Sequence, residues 1–348
     1  MADSSGKTQE EHDENKAVDM QRRRRPLAVL SAILIFFALL IQVWVEQRRS
    51  TLVVYPNSLS VFCVVFPLCA LIALIHKSIQ RAMLPVARCA VLKKDQTDIV
   101  YEKKLLRFGS VTFKFIFTTT LCYLTFENFL KDAEWMPIQM FGKGDIQTCW
   151  GHGHLLDTQA PIGIAGTRFY QIAFAYHLSE LLLQIVYEPT KPDYVEMFIH
   201  HAATIFLVYV SFAANVARIG SLVLFLHYVS DIPVYAAKMF VDTKFKIVTA
   251  SCLVGMLVSW GYLRLYTFPF VIIMSTLWDT LEDVSFYGGY AVSLIWFSCN
   301  VALMALLCLH IYWYSLFLKM GWDYITKGKT VDKQANLHQH SESNVKKD

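Results

Sequence analysis

The sequence has little charge for its length. Asp, Glu, Lys and Arg make up 17% of its 348 residues, while 55% are hydrophobic; a soluble domain averages about 25% charged residues. Several apolar stretches reach the roughly 18 to 25 residues that a helix needs to cross a hydrocarbon core of about 30 Å. The composition therefore excludes a single soluble domain and predicts a multi-pass helical membrane protein.

The sequence also lacks the cysteine patterns of disulfide frameworks, zinc sites and thiol redox centres. It has no CxxC spacing, and six of its eight cysteines fall within or beside apolar stretches, where a free thiol packs as a small hydrophobe. A Gly-rich phosphate loop, an internal repeat and a glycosylation acceptor triplet are missing as well. The small net charge of +4 implies no nucleic-acid partner.

Eight apolar stretches predict membrane-spanning helices. They lie near residues 27–45, 53–76, 109–127, 163–187, 198–214, 217–238, 247–275 and 291–317. The first lacks a small-residue cleavage site and is interpreted as a retained span rather than a signal peptide. The basic segment 77–108 is assigned to the cytosol by the positive-inside rule, which makes both termini cytosolic. Arg48 and Arg49 would then lie outside, so seven spans stay an alternative to eight.

Composition divides the chain into four parts. Residues 1–26 and 319–348 are polar and show no periodic apolar face, which predicts disordered cytosolic tails. Residues 27–104 hold the N-terminal spans and the basic segment. Residues 105–318 hold the remaining apolar helices and form the main domain.

A cluster of ionisable residues interrupts the central helices. It comprises His177, Glu180, His200, His201, His227 and Asp231. Such groups are costly inside a membrane and mark a functional site by default. Residues three or four apart share one face of a helix, so His177 can pair with Glu180 and His227 with Asp231.

These residue types suit acyl transfer to an amine. That reaction needs a base, a group that stabilises the oxyanion and, in a two-step route, a nucleophile. His200 and His201 point about 100° apart around one helix. One imidazole can act as base or nucleophile while the other donates to the oxyanion, with Asp231 as the orienting carboxylate.

Two other interpretations of the ionisable residues stay open. A single buried His, such as His177 or His310, is more often structural than catalytic, and Arg264 can snorkel or bind a helix-end carbonyl. Paired histidines and carboxylates can also ligate iron or zinc. Membrane di-iron enzymes carry several HxxxH and HxxHH boxes, whereas this chain has a single HH pair. The spacing therefore favours a site without a metal.

The region from Tyr170 to Lys238 resembles the longevity-assurance motif of the TLC-domain family, in particular of its ceramide synthases. The matching segments are Tyr170-Gln171, Tyr176-His177, EPTKPDYVEMFIHHAATIFLVYVSF from Glu188 to Phe212, Arg218-Ile219-Gly220 and LVLFLHYVSD from Leu222 to Asp231. Arg264, Phe268-Pro269 and Leu309 to Trp313 also look like the family's late helices. The similarity extends over roughly residues 105–318.

The resemblance implies an all-α polytopic membrane protein of seven or eight spans, with a six-helix TLC-domain barrel at 105–318 whose cavity opens to the cytosol. It implies an endoplasmic-reticulum enzyme that joins a fatty acyl-CoA to a sphingoid base such as sphinganine, sphingosine or phytosphingosine. Acyl-CoA is the co-substrate and no cofactor is bound. Chain-length choice is associated with a luminal loop, here near 276–290. A dimer or a small accessory subunit is left open.

The resemblance also assigns residues to the site. The required histidine pair of the family falls on His200 and His201, and Asp231 completes the predicted catalytic set. The supporting and substrate-binding residues are predicted to be His177, Glu180, His227, Tyr228, Ser230, Arg218 and Arg264. No metal ligand is predicted.

One position departs from the family pattern. Ceramide synthases usually carry two aspartates in the segment that ends at Asp231, and the first position here holds Tyr228. A phenol can donate a hydrogen bond but is not an anion near neutral pH. Non-enzymatic TLC proteins of the translocon-associated type also carry a Tyr at this place. A lipid-binding or translocon-associated protein is therefore the alternative function, although the histidine pair favours the enzyme.

Overall fold

The computed structural model describes residues 63–93, 98–150, 162–188, 191, 193–214, 216–281 and 290–327. The main elements of this part are the helices α1 (Val65–Ala82), α2 (Leu84–Ala90), α3 (Asp98–Thr125), α4 (Gly163–Tyr187), α5 (Tyr194–Ala213), α6 (Ala217–Phe240), α7 (Lys246–Trp260) and α8 (Tyr290–Lys327). The predicted all-α membrane fold class is confirmed.

Five of the described helical stretches are long and apolar enough to cross a membrane. They are Val65–Ala82, Tyr194–Ala213, Ala217–Phe240, Lys246–Asp279 and Val292–Asp323. Helices α3 and α4 occupy two further predicted spans, and each carries a charged residue, Lys114 and Glu180, that contacts the other. The predicted span at 27–45, the start of that at 53–76 and most of the two predicted tails lie outside the described residues.

Two segments outside the predicted spans contain helical residues in the described part of the chain. The basic segment 77–108 contains the end of α1, all of α2 and the start of α3. The predicted C-terminal tail begins at 319, but α8 continues to Lys327. Hydropathy shows only which part of a helix contacts lipid, and Lys, Arg and Leu continue a helix readily in a polar environment.

The helices form a ring. Helices α4 and α5, α5 and α8, α7 and α6, and α6 and α3 pack as neighbours, and α8 packs on the segment Gly261–Ile273 that follows α7. Helix α1 packs on both α3 and α4 and closes the ring between them. A helix that precedes residue 105 therefore contributes to the packing of the predicted TLC-domain barrel.

The chain beyond α7 changes from α-helical to π-helical geometry. Wider turns run over Gly261–Ile273 and Ser275–Asp279. Pro269 lies in this segment, and proline removes an N–H donor and clashes with the preceding turn of an α-helix. π-Helical turns inside helices are frequent at functional sites. Here they hold Arg264, whose side chain is buried against α6.

Helix α4 ties α5 and α6 into a hairpin. The Tyr170 hydroxyl donates to the Ala217 carbonyl at 2.8 Å and lies 3.2 Å from Ser211 Oγ. A Cβ at Gly220 would lie 2.1 Å from the Tyr170 hydroxyl oxygen and 2.6 Å from Ser211 Oγ. The close approach of these helices therefore depends on the missing side chain at Gly220.

We expect Gly220→Ala to lower the unfolding temperature of the detergent-purified protein by several degrees, because the new methyl group overlaps the Tyr170 hydroxyl. Tyr170→Phe removes that oxygen. The unfolding temperature of the double variant should therefore fall by less than the sum of the decreases in the two single variants. Gly255→Ala is the matched control, since its Cβ would meet only Pro233 Cβ at 3.8 Å. The unfolding temperatures are measured by tryptophan fluorescence. If the decreases in the two single variants add exactly in the double variant, the overlap with the Tyr170 hydroxyl is not the cause.

Candidate active site

A cavity lies between α5, α6 and α8. It holds about 1120 Å³ of space free of protein atoms, part of it open to the outside. The polar end is lined by His177, His200, His227, Tyr228, Asp231 and the nearby Leu306, and the opposite end by Trp150, Val216, Thr280, Val292 and Trp296. From His200 to Ala214 along α5 the cavity extends about 21 Å, at about 1.5 Å per residue. This shape suits a molecule with a polar head and a long apolar chain.

His200 and His201 lie in the second turn of α5 and face different neighbours. His200 lines the cavity, and its ring centroid lies 6.5 Å from that of His227 and 5.5 Å from that of Trp313. His201 packs against the His177 ring of α4, with 5.8 Å between centroids. Adjacent positions on a helix point about 100° apart. The helix therefore directs one imidazole to the cavity and the other to α4.

Five buried polar atoms at this end have no hydrogen-bond partner among the described residues. They are the Nδ1 atoms of His177, His200, His201 and His310 and the hydroxyl oxygen of Tyr228. Of these residues, His177, His200 and Tyr228 line the cavity. Folded proteins pair nearly all buried polar atoms, so each exception needs an explanation. Beside a cavity, the polar group of a bound molecule can supply the missing partners.

Tyr228 occupies the position that departs from the family pattern. Its side chain is 2% exposed, and its ring stacks on that of His177 with centroids 5.7 Å apart and 14° between the planes. Tyr176 and Phe169 contact it edge-on. The phenol thus adds a neutral hydroxyl and an aromatic surface where a carboxylate would add a charge.

Arg264 is the centre of a buried polar network. Its Nη2 lies 2.5 Å from Asp231 Oδ1 and donates to the His227 carbonyl at 3.1 Å, while its Nε donates to Ser230 Oγ at 2.6 Å. The guanidinium carbon lies 4.1 Å from the centre of the Trp260 ring, a cation–π contact. Arg264 therefore holds three side chains and one carbonyl of the site in a fixed arrangement.

The two histidine–carboxylate pairs expected from helix spacing do not form within the described part of the chain. Asp231 pairs with Arg264 rather than with His227. Glu180 likewise has partners other than His177. Cationic side chains bind carboxylates more strongly than neutral imidazoles do, and they reach these positions from other helices. The role of Asp231 as the orienting carboxylate of the histidine pair stays a prediction.

Glu180 belongs to a second buried group, which joins α4 to α1 and α3. Its Oε1 lies 3.0 Å from His76 Nδ1, and its Oε2 contacts Lys114 Nζ. His76 Nε2 is 2.8 Å from Ser110 Oγ, and its ring stacks on Phe113 with 4.4 Å between centroids. The sequence analysis missed His76 and Lys114. Both fall within predicted spans, so the rule that marks ionisable residues inside membranes would have found them.

Arg218 lies away from the histidine cluster. Its Nη1 donates to the Thr148 carbonyl at 3.2 Å and ties the start of α6 to the short turn Ile146–Cys149. Trp150, which follows this turn, lines the far end of the cavity, and its Nε1 donates to Ser275 Oγ at 2.8 Å. The structure therefore places Arg218 where it can support the end of the cavity opposite the histidines.

The histidines of the cluster meet ring to ring across four helices. They are His177, His200, His201, His227 and, from α8, His310. Within the described ranges, no three His, Cys, Asp or Glu side chains are arranged so that they could hold a metal ion. The arrangement offers imidazoles to a bound molecule from several sides.

Comparison with known proteins assigns the chain to a family. Its residues 107–319 match the TLC domain. Ceramide synthase 4 of Bos taurus is 30% identical over 161 residues, which are 46% of this chain and 39% of that protein. Ceramide synthase LOH2 of Arabidopsis thaliana is 33% identical over 155 residues, 44% and 51% of the two chains. Ceramide synthase hyl-2 of Caenorhabditis elegans is 27% identical over 207 residues, 58% and 62% of the two chains.

The chain thus spans less than two thirds of the length of these relatives. The TLC domain match, in contrast, covers more than half of this sequence. It includes every residue of the predicted site and the cavity around which these residues lie. The chain therefore belongs to the TLC-domain family.

Proposed function

We propose that the protein is a sphingoid-base N-acyltransferase, a ceramide synthase. It would transfer a fatty acyl group from acyl-CoA to the amino group of sphinganine, sphingosine or phytosphingosine. The observation that carries the proposal is the long apolar cavity with His200 and unpartnered polar atoms at one end. Relatives of the chain are named ceramide synthases, which supports the same reaction.

The reaction forms an amide bond and breaks a thioester bond. A sphingoid ammonium and an acyl-CoA give the amide, the CoA thiol and one proton. The amine must lose a proton before it attacks, and His200 lines the cavity where that base is needed. In the two-step route, His200 attacks the thioester first and the amine then takes the acyl group. His201 or Tyr228 donates to the oxyanion, the negative charge that forms on the carbonyl oxygen when the carbonyl carbon is attacked.

Asp231 contributes charge at the polar end of the cavity. Its side chain is 23% exposed and lines the cavity, although Arg264 holds Oδ1. A carboxylate near His200 attracts the ammonium group of a sphingoid base before its proton is removed. Asp231 would therefore bind the amine substrate while His200 acts on it.

The proposed orientation follows the distribution of basic residues. With segment 77–108 in the cytosol, the polar end of the cavity lies toward the cytosol and the end at Trp150 toward the lumen. A multi-pass protein of the endoplasmic-reticulum membrane in this orientation would receive acyl-CoA from the cytosol. The acyl chain would extend along the cavity toward Trp150 and Val292.

The direct test is acyl transfer by the detergent-purified protein, supplied with sphinganine and acyl-CoAs of several lengths. We expect an N-acyl product from the wild type, reduced about a hundredfold or more in His200→Ala because the base or nucleophile is lost. His201→Ala should lose less, since His201 faces α4. Cys308→Ala, at an exposed position of α8, is the control and should match the wild type.

A non-catalytic lipid-binding or translocon-associated protein is the second candidate, favoured by Tyr228 in place of a carboxylate. It predicts that the wild type binds a sphingoid base or acyl-CoA but forms no product with any chain length. It also predicts that His200→Ala leaves binding unchanged. If the wild type forms product and His200→Ala forms it equally well, His200 is neither the base nor the nucleophile.

A further inference from the structure

A pair of buried histidines lies beside the cavity, between α6 and α8. The Nε2 atoms of His227 and His310 are 3.1 Å apart, and His227 Nδ1 lies 2.6 Å from the Val223 carbonyl oxygen. The His227 side chain is 7% exposed and that of His310 is 0% exposed. The steps proposed above assign no role to His310, which the sequence analysis weighed as a structural residue.

The contacts decide which ring nitrogens carry hydrogen. A carbonyl oxygen can only accept, so His227 Nδ1 donates to Val223. The Nε2 of neutral His227 is then an acceptor, and His310 Nε2 must donate to it. Both rings are buried, and burying an unpaired charge is costly. The nearby charges give no net attraction for a further positive group, because the Arg264 guanidinium, which donates to the His227 carbonyl at 3.1 Å, is already paired with Asp231. Both rings are therefore neutral, in opposite tautomers.

Ring contacts, rather than a hydrogen bond at Nδ1, hold the His200 side chain. The Nδ1 of His200 has no partner in the described structure, so no hydrogen bond from that atom holds the ring. The rings of four residues surround it instead: those of His227, His177, His201 and Trp313, at centroid distances of 6.5, 6.4, 5.4 and 5.5 Å. A side chain held by packing is only as well placed as its neighbours are rigid.

We propose that His310 is a positioning residue for acyl transfer: it fixes the tautomer and the ring plane of His227, and His227 in turn supports His200. The inference rests on the proposed function, in which His200 reacts at the cavity. It follows that His227 is not the general base, although it lines the cavity, because His310 occupies its lone pair. His310 itself does not line the cavity and takes no part in the chemistry.

The tautomers can be measured without substrate. We expect ¹⁵N NMR of the full-length protein, labelled at histidine, to show hydrogen on Nδ1 of His227 and on Nε2 of His310. The variants His227→Asn and His310→Phe assign the two sets of signals by their loss. In His310→Phe, the Nε2 resonance of His227 should move because its hydrogen-bond donor is gone. The opposite tautomers, or a charged pair, would overturn the inference whether or not the protein is an enzyme.

The effect on catalysis separates positioning from stability. His310→Phe keeps a ring but removes the donor, and we expect kcat to fall about 10- to 100-fold with little change in KM, as for a misplaced catalytic group. His310→Gln offers an N–H at a similar reach and should recover most of kcat. Tyr312→Phe, on the exposed face of α8 at 44% exposure, is the control.

The outcomes of this experiment are distinct. A wild-type kcat in His310→Phe would overturn the positioning role. Equal losses in His310→Phe and His310→Gln, matched by equal falls in unfolding temperature, would show that His310 is only structural and would overturn it as well. No product from the wild type would instead refute the proposed function, while the NMR spectra would still decide whether His310 fixes the tautomer of His227.

Discussion

Arg264→Met is expected to give no detectable acyl transfer and to lower the free energy of unfolding by about 3 kcal/mol. The substitution keeps a long apolar side chain but leaves the half-buried Asp231 without a cation and Ser230 without its donor. Breaking a buried ion pair by removing one partner costs about 3–5 kcal/mol. The 23% exposure of the Asp231 side chain places the expected loss at the lower end of that range.

A double variant separates charge from hydrogen bonding. Arg264→Met combined with Asp231→Asn removes both charges, so it should be more stable than Arg264→Met alone but equally inactive. Arg264→Lys keeps the charge but cannot reach Asp231, Ser230 and the His227 carbonyl together. Its stability should therefore lie between those of Arg264→Met and the double variant. If the double variant is no more stable than Arg264→Met, the loss comes from the other contacts of Arg264 rather than from an uncompensated carboxylate.

Arg218→Met is the matched control for this experiment. Arg218 is also a predicted supporting residue, but its contact with the Thr148 carbonyl lies away from the histidine cluster. Its removal should therefore reduce stability less than that of Arg264 and leave measurable product. Thermal unfolding in detergent and product formation are measured on the same preparations. A loss in Arg218→Met as large as that in Arg264→Met would show that the Asp231 network has no special importance.

Hydropathy predicts the membrane helices well and their polar extensions poorly. Helix α4 occupies the predicted residues 163–187, and α6 begins at 217 as predicted. Helix α2 and the last turns of α8 were not predicted: α2 has only seven residues, too few to cross a membrane, and the end of α8 contains Lys319, Asp323 and Lys327. Hydropathy reports the solvent that a side chain contacts, whereas a helix is defined by its backbone. The two coincide only where the helix lies in lipid.

The sequence identifies the residue types of the site better than their partners. Helix spacing detects contacts within one helix, and it paired Asp231 with His227. The partner of Asp231 is Arg264, which comes from another helix 33 positions away. Lys114 reaches Glu180 in the same way. Such pairs depend on how helices pack, which the periodicity of a single helix does not contain.

A series of tryptophan substitutions along α8 is expected to shorten the acyl chain that the protein accepts. Val292, Cys299 and Leu303 line the cavity at increasing height toward His200, and each helical turn advances by about 5.4 Å. An indole at Leu303 should block the passage nearest His200 and exclude all but short chains. The effect should be intermediate at Cys299 and small at Val292. Chains beyond the cutoff should lose at least about tenfold in activity, since even one misfitting methylene costs that much.

The measurement is a competition among acyl-CoAs of different lengths in one reaction, with the products quantified by mass spectrometry. Ratios within a reaction are independent of how much of each variant folds. Met304→Trp, at a position 45% exposed on the outer face of α8, is the matched control and should keep the wild-type product distribution. A shift at Val292 alone would move the length determinant to the far end of the cavity, near Thr276 and Thr280. Unchanged ratios in all three variants would show that the acyl chain does not lie along α8.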